Sequence, residues 1–188
     1  MSKALTTYLV LFRGINVGGK NKVPMGELRA LLADLGFSQV STYIQSGNAI
    51  LKSGLNADRI ARTIELALPE HFALETSLIR VLVLSRAELE AAIAGRPKGF
   101  GDEPGKYHSD AIFLIDVDAA EAMPAFSPRE EVDAVWPGRG LIYSQRLSAE
   151  RTRSRLGKIV GTPAYRSMTI RSWATTMALA DLVERGTG

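Results

Sequence analysis

The chain contains no cysteine. That excludes disulfides, thiolate nucleophiles and cysteine-rich zinc sites, and it fits a reducing compartment. Histidine is scarce as well. His71 and His108 are the only two, and neither has a partner at a metal-ligand spacing such as HExxH. No metal site and no cofactor is expected. No apolar run reaches the length of a transmembrane helix, and the opening MSKALTTYLVLF does not read as a signal peptide. The expectation is a cytoplasmic protein with no membrane association. No serine sits in a G-x-S-x-G turn. Tyr107-His108-Ser109-Asp110 sets three triad residue types side by side, but a triad needs convergence from separate segments. The acid pairs Asp102-Glu103 and Glu130-Glu131 are neighbours in polar stretches, which reads as solvated charge.

What is present is an ordinary globular composition. The 188 residues are 46% apolar and 23% charged, enough for one large domain or two small ones. The net charge of +3 is unevenly spread. The stretch 102–133 is acidic, whereas 139–171 carries Arg139, Arg146, Arg151, Arg153, Arg155, Lys158, Arg166 and Arg171 against Glu150. Such a segment is either a solvated surface or an attractor of phosphates and acidic partners.

Periodicity predicts a strand over 6–13 with both faces apolar, hence central in its sheet. Pro24 opens a helix whose stripe is Met25, Leu28, Leu31, Leu32 and Leu35, ended by Gly36. Strands follow over 39–45 and 48–52, joined tightly at Ser46-Gly47. Asn56 caps a helix that Pro69 stops, and a strand runs over 78–84. Ser85 to Glu88 form a capping box for a short helix, and 95–109 is a long loop. Beyond it come a strand (110–116), a short helix (119–123), a hairpin (131–136 and 141–146), a helix (149–160), a strand (168–171) and a helix from Trp173 to Arg185 capped by Ser172. The order is β-α-β-β-α-β twice with a helix appended. That implies an α+β protein of two ferredoxin-like subdomains, 1–94 and 95–188.

The densest chemistry lies in RGINVGGKNKVPM, Arg13 to Met25. In a ferredoxin-like order the first and second strands run parallel about the third, so the 13–22 loop and the 45–48 turn emerge at one sheet edge. The candidate ligand-binding residues are Arg13, Asn16, Gly18, Gly19, Lys20, Asn21, Lys22, Gln45, Ser46 and Asn48. Cations, amides and glycine backbone together suit an anionic or polar small ligand. The competing reading is that Asn16, Gln45 and Asn48 satisfy loop backbone. Gly14 to Asn21 follows Walker A spacing, but Asn21 stands where Ser or Thr would hold magnesium, Pro24 delays the helix, and a hairpin follows. A nucleotide hydrolase is therefore not expected. An RNA-binding sheet face is not expected either, because NAILK offers no aromatic to join Tyr8 and Phe12.

RGINVGGKNKVPMGELRALLADLGF followed by VSTYIQSGNAIL resembles the signature of the bacterial domain-of-unknown-function 1697 family, and TIRSWATTMALADL resembles its ending. The family pattern often has Asn where this chain has Ser172. The resemblance implies two ferredoxin-like subdomains and no established activity.

Three functions fit the sequence. The favoured one is a binding module for an unidentified anionic or polar ligand at the loop-and-turn edge. The second is an enzyme on a phosphorylated or nucleotide substrate, gripped by the same loop. The third is nucleic-acid or protein association through 139–171, where Arg151, Arg155 and Lys158 would share one face of a helix over 149–160.

Overall fold

The structure, a computed structural model, describes residues 4–75 and 79–186. It is an α+β protein with two four-stranded antiparallel sheets and a C-terminal helix. The chain divides into two compact units. One runs to Leu89 and includes the residues from Leu179 onward, and the other is Glu90–Ala178. The end of the last helix therefore groups with the first unit and its start with the second.

In the first unit the strands are β1 (Thr6–Arg13), β2 (Ser38–Tyr43), β3 (Asn48–Ser53) and β4 (Arg80–Ser85), in the order β2-β3-β1-β4. Leu78, expected to begin the last of these, lies outside the described residues. Central β1 is buried on both faces, as its unbroken apolar run requires. Its Tyr8, Val10 and Phe12 meet Leu28 and Leu32 of α1 (Met25–Asp34) and Ile60, Ile64 and Leu68 of α2 (Ala57–His71). The i, i+4, i+8 spacing on α2 stacks its three apolar residues on one stripe, and each contributes about 1.5–3 kcal/mol by burial. Tyr8 and Phe12 are core residues, not a stacking platform.

Local signals account for the ends of these elements. Gly36 takes φ +88°, and Phe37 N–H donates to Leu32 O at 3.2 Å, closing a left-handed helix end with Phe37 packed back on the core. Asn56 Oδ1 accepts from Arg59 N at 3.0 Å, capping α2. Ser85 and Glu88 exchange the capping-box bonds that open α3 (Arg86–Ala94). Two expectations are corrected. Pro69 does not stop α2, which continues to His71 because Phe72 N–H still bonds Leu68 O. The β2–β3 hairpin is looser than a two-residue turn: Tyr43 pairs with Asn48 around four residues, Ile44 to Gly47.

The second unit repeats the strand order as β6-β7-β5-β8, from β5 (Tyr107–Leu114), β6 (Asp133–Pro137), β7 (Leu141–Leu147) and β8 (Met168–Ser172). Its first crossover holds only the short α4 (Ala119–Ala122) and one 3-10 turn. The helix expected over 149–160 does not form; three 3-10 pieces, Ser148–Glu150, Leu156–Gly161 and Pro163–Ser167, replace it. The reason is a competing acceptor. An α-helix would send Arg155 N–H to Arg151 O, but Asp133 Oδ2 takes it at 2.8 Å. The continuous face of Arg151, Arg155 and Lys158 is lost with the helix, although all three remain exposed. The last helix, α5 (Trp173–Arg185), begins where Ser172 Oγ accepts from Thr175 N at 3.2 Å.

The loop before β5 is anchored in this unit. Phe100, flanked by Gly99 at φ +83° and Gly101 at φ +77°, meets Trp173, Tyr143 and Trp136 edge-on at 5.1, 5.2 and 6.1 Å.

Candidate functional site

The loop after β1 is held in shape by two asparagines. Asn16, at φ +54°, donates from Nδ2 to Val23 O at 2.9 Å and to Gln45 O at 3.1 Å, while its Oδ1 accepts Val23 N–H at 2.8 Å. Asn21, at φ +49°, donates to Gly14 O at 2.8 Å and accepts Glu75 N–H at 2.8 Å. Asparagine suits these positions because its short amide tolerates left-handed backbone and bonds locally. Buried Asn48 donates to Tyr43 O at 3.0 Å and Ser46 Oγ at 2.9 Å, tying off the turn.

The loop and the turn do meet. Besides the Asn16–Gln45 bond, Phe12 N–H donates to Gly47 O at 2.9 Å. Gly47 sits so close that a Cβ there would stand 3.0 Å from Ile15 and Phe12. The side chains divide into two sets. Asn16, Asn21 and Asn48 point inward to backbone and to Ser46, and Arg13 is buried. Lys20, Lys22, Gln45 and Ser46 are exposed. Gly18 (φ +59°) and Gly19 (φ +77°) form the tip of a tight turn closed by Lys20 N–H to Val17 O at 3.0 Å. Nothing lies within 4 Å of where a Cβ would stand on either, and among the described residues neither glycine N–H has a protein acceptor. Lys20 Nζ reaches Glu75 Oε2 at 3.4 Å, an exposed and therefore weak pair. Glu75 was not legible as part of this site, because it lies in an irregular stretch after α2 with no periodicity to place it.

The basic segment is split by burial. Arg171 is inward on β8, donating to Thr169 Oγ1 at 2.9 Å and Ile170 O at 2.8 Å, and burial brings its pKa down to about 10. Asp133 accepts from both Arg129 N at 2.9 Å and Arg155 N at 2.8 Å. Burial pushes its carboxyl up, but the hydrogen bonds from Arg155, Ser154 and Arg129 and the charge of Arg146 outweigh that and hold it below the ordinary 3.8. A lowered folded-state pKa stabilises above the unfolded value and is lost as pH falls through the folded one. Asp133→Ala should therefore lower stability at pH 7 by about 1–3 kcal/mol, the worth of bonds to a partly solvated carboxylate. Urea unfolding at pH 7 and pH 3 should show that difference narrowing in acid.

His108 Nε2 and Asp110 Oδ1 are 3.1 Å apart on one face of β5, while Ser109 turns to the other and donates to Gln145 at 3.3 Å. Strand alternation thus separates the serine from the pair, and no triad forms. Asp110 is raised by burial, against the pull of His108 and Arg146. Two cavities of about 400 and 390 Å³ open along the loop that carries Phe100, both touching Tyr107. Neither includes the loop-and-turn edge.

Comparison with known proteins gives three findings. A family described as "Protein of unknown function (DUF1697)" matches residues 5–143, a span that contains the 13–22 loop and the 45–48 turn and ends before β8. No curated protein matches. A solved structure, that of the conserved bacterial protein SP0830 from Streptococcus pneumoniae, is similar with a TM-score of 0.77 and 27% identity, covering 96% of this chain and 99% of its own.

Proposed function

The chain belongs to the DUF1697 family, and we propose that it is a cytoplasmic binding module that takes an anionic or polar small ligand at the edge formed by the 13–22 loop and the 45–48 turn. Both units are read as ferredoxin-like, and the β2-β3-β1-β4 and β6-β7-β5-β8 orders support that reading. The observation that carries the functional proposal is the division of labour around Asn16. Its amide ties loop to turn through Val23 and Gln45. The Gly18 and Gly19 N–H groups are thereby held at the tip of an ordered turn beside exposed Lys22 and Lys20, the latter only weakly paired with Glu75. Preorganised donors of this kind bind an anion without first paying to order the chain. In this reading Lys20 and Lys22 supply charge, Gln45 and Ser46 supply hydrogen bonds, and the asparagines are scaffold.

A thermal-shift screen over nucleotides, phosphosugars and short oligonucleotides tests this. A ligand at a hundred times its Kd adds about 2.7 kcal/mol, enough to raise the melting temperature by several degrees. The shift should vanish in the double variant Lys20→Ala, Lys22→Ala, whose own stability changes little. Stabilisation by oligonucleotides alone, steeply salt-dependent and kept in that variant, would instead favour association through Arg151, Arg155 and Lys158.

A further inference from the structure

The smaller cavity, of about 390 Å³, lies against the first turn of α5 and is independent of the loop after β1. Trp173 forms part of its wall and is 6% exposed. The ring packs edge-on against Phe100 and Tyr143. Its Cδ1–Nε1 edge lies against Gly101, which lines the same cavity. Among the described residues the indole N–H has no protein acceptor, and the atom itself is not fully buried. A nearly buried donor left open at a cavity wall points to an acceptor from outside the chain.

The remaining lining agrees. Ser172 Oγ takes the N–H of Thr175, but the N–H of Ala174, also at the wall, has no protein acceptor among the described residues. These two donors sit at the positive end of a 13-residue helix. Arg96 adds a guanidinium, now donating to Phe100 O at 3.1 Å and paired with Asp102 at 3.0 Å. That pair is half exposed on both sides, so a better-placed anion can draw the guanidinium away. Among the described residues no aspartate or glutamate lines this cavity, although Asp110 pairs with its His108 at 3.1 Å, whereas Glu103, Glu131 and Asp133 line the other. Pro104, Tyr107, Met177 and the Trp173 ring supply the apolar part of the wall, which His108 and Ser109 complete. We propose that this cavity is a second binding site, for a small organic anion, a carboxylate or phosphate ester with an apolar body. The anionic group would be held by Trp173 Nε1–H, Ala174 N–H and Arg96.

The two tryptophans, Trp136 and Trp173, make the test direct. In a Trp136→Phe background Trp173 is the sole indole. Benzoate and phenyl phosphate should each be titrated into that protein, with benzyl alcohol as the neutral probe. The expected result is a saturable change in Trp173 emission with one or both anions and none with the alcohol. Arg96→Gln should weaken the response by about tenfold or more, the loss of one charge-assisted hydrogen bond. Asp102→Asn should tighten it by freeing the guanidinium, and it decides the matter alone if Arg96→Gln does not fold. Lys20→Ala with Lys22→Ala should leave the response intact, which separates this site from the loop-and-turn edge. An equal response to the alcohol, no saturable response, or indifference to Asp102→Asn would overturn the proposal. So would loss of the response in the lysine variant.

Discussion

Gly101→Ala is expected to destabilise the protein by about 2–5 kcal/mol, lowering the melting temperature by roughly 5–15 °C. Two effects add. Gly101 sits at φ +77°, where a side chain costs about 1–2 kcal/mol. In addition, a Cβ there would stand 2.6 Å from Trp173 Nε1 and closer still to Cδ1, so the indole must move. Trp173 is one wall of the ring cluster around Phe100, and displacing it loosens the loop against β7 and α5. Gly99→Ala is the control. It has φ +83° but nothing within 4 Å of its Cβ position, so only the backbone term of about 1–2 kcal/mol applies. If the two variants melt alike, the packing explanation fails. Near-UV circular dichroism should change for Gly101→Ala alone.

Asn16→Ala is the second large effect, about 3–5 kcal/mol. It deletes the bonds donated to Val23 O and Gln45 O, a longer contact to Met25 Sδ, and the bond accepted from Val23, and it strands the N–H of Val23, a residue 1% exposed. Leaving such a donor unsatisfied costs about 1–3 kcal/mol beyond the bonds themselves. Alanine also tolerates φ +54° less well than asparagine does. Asn16→Asp is informative beside it. The carboxylate still accepts from Val23 but faces two carbonyl oxygens it cannot bond, so it should be nearly as unstable at neutral pH. Denaturant unfolding measures both. The proposed roles make a further distinction: Asn16 variants should lose stability and ligand together, whereas Lys20 and Lys22 variants should lose ligand alone.

These residues also show how far the sequence could be read. The apolar run of β1, the stripe of α1 and the caps at Gly36, Asn56, Ser85 and Ser172 were legible because each depends on neighbours within one or two turns. The meeting of loop and turn was legible through topology, since strand order alone brings Gln45 to Asn16. What each amide does once there was not, because inward and outward orientation depends on backbone partners such as Val23, Gly14 and Glu75. The helix over 149–160 failed for a similar reason. Its local pattern was helical, but Asp133, more than twenty residues away in the chain, captures Arg155 N–H. The cavity beside Trp173 left no periodic signal, because its wall joins the 96–109 stretch to the distant start of α5.

We propose that the 13–22 loop and the 45–48 turn form one anion site. An amide-resolved 15N NMR titration with inorganic phosphate and then adenosine monophosphate tests it most directly. Saturable shifts are expected at Gly18, Gly19, Lys20 and Ser46, absent when Lys20 and Lys22 are both alanine. Shifts that never saturate, that avoid those amides, or that persist unchanged in the lysine variant would contradict it.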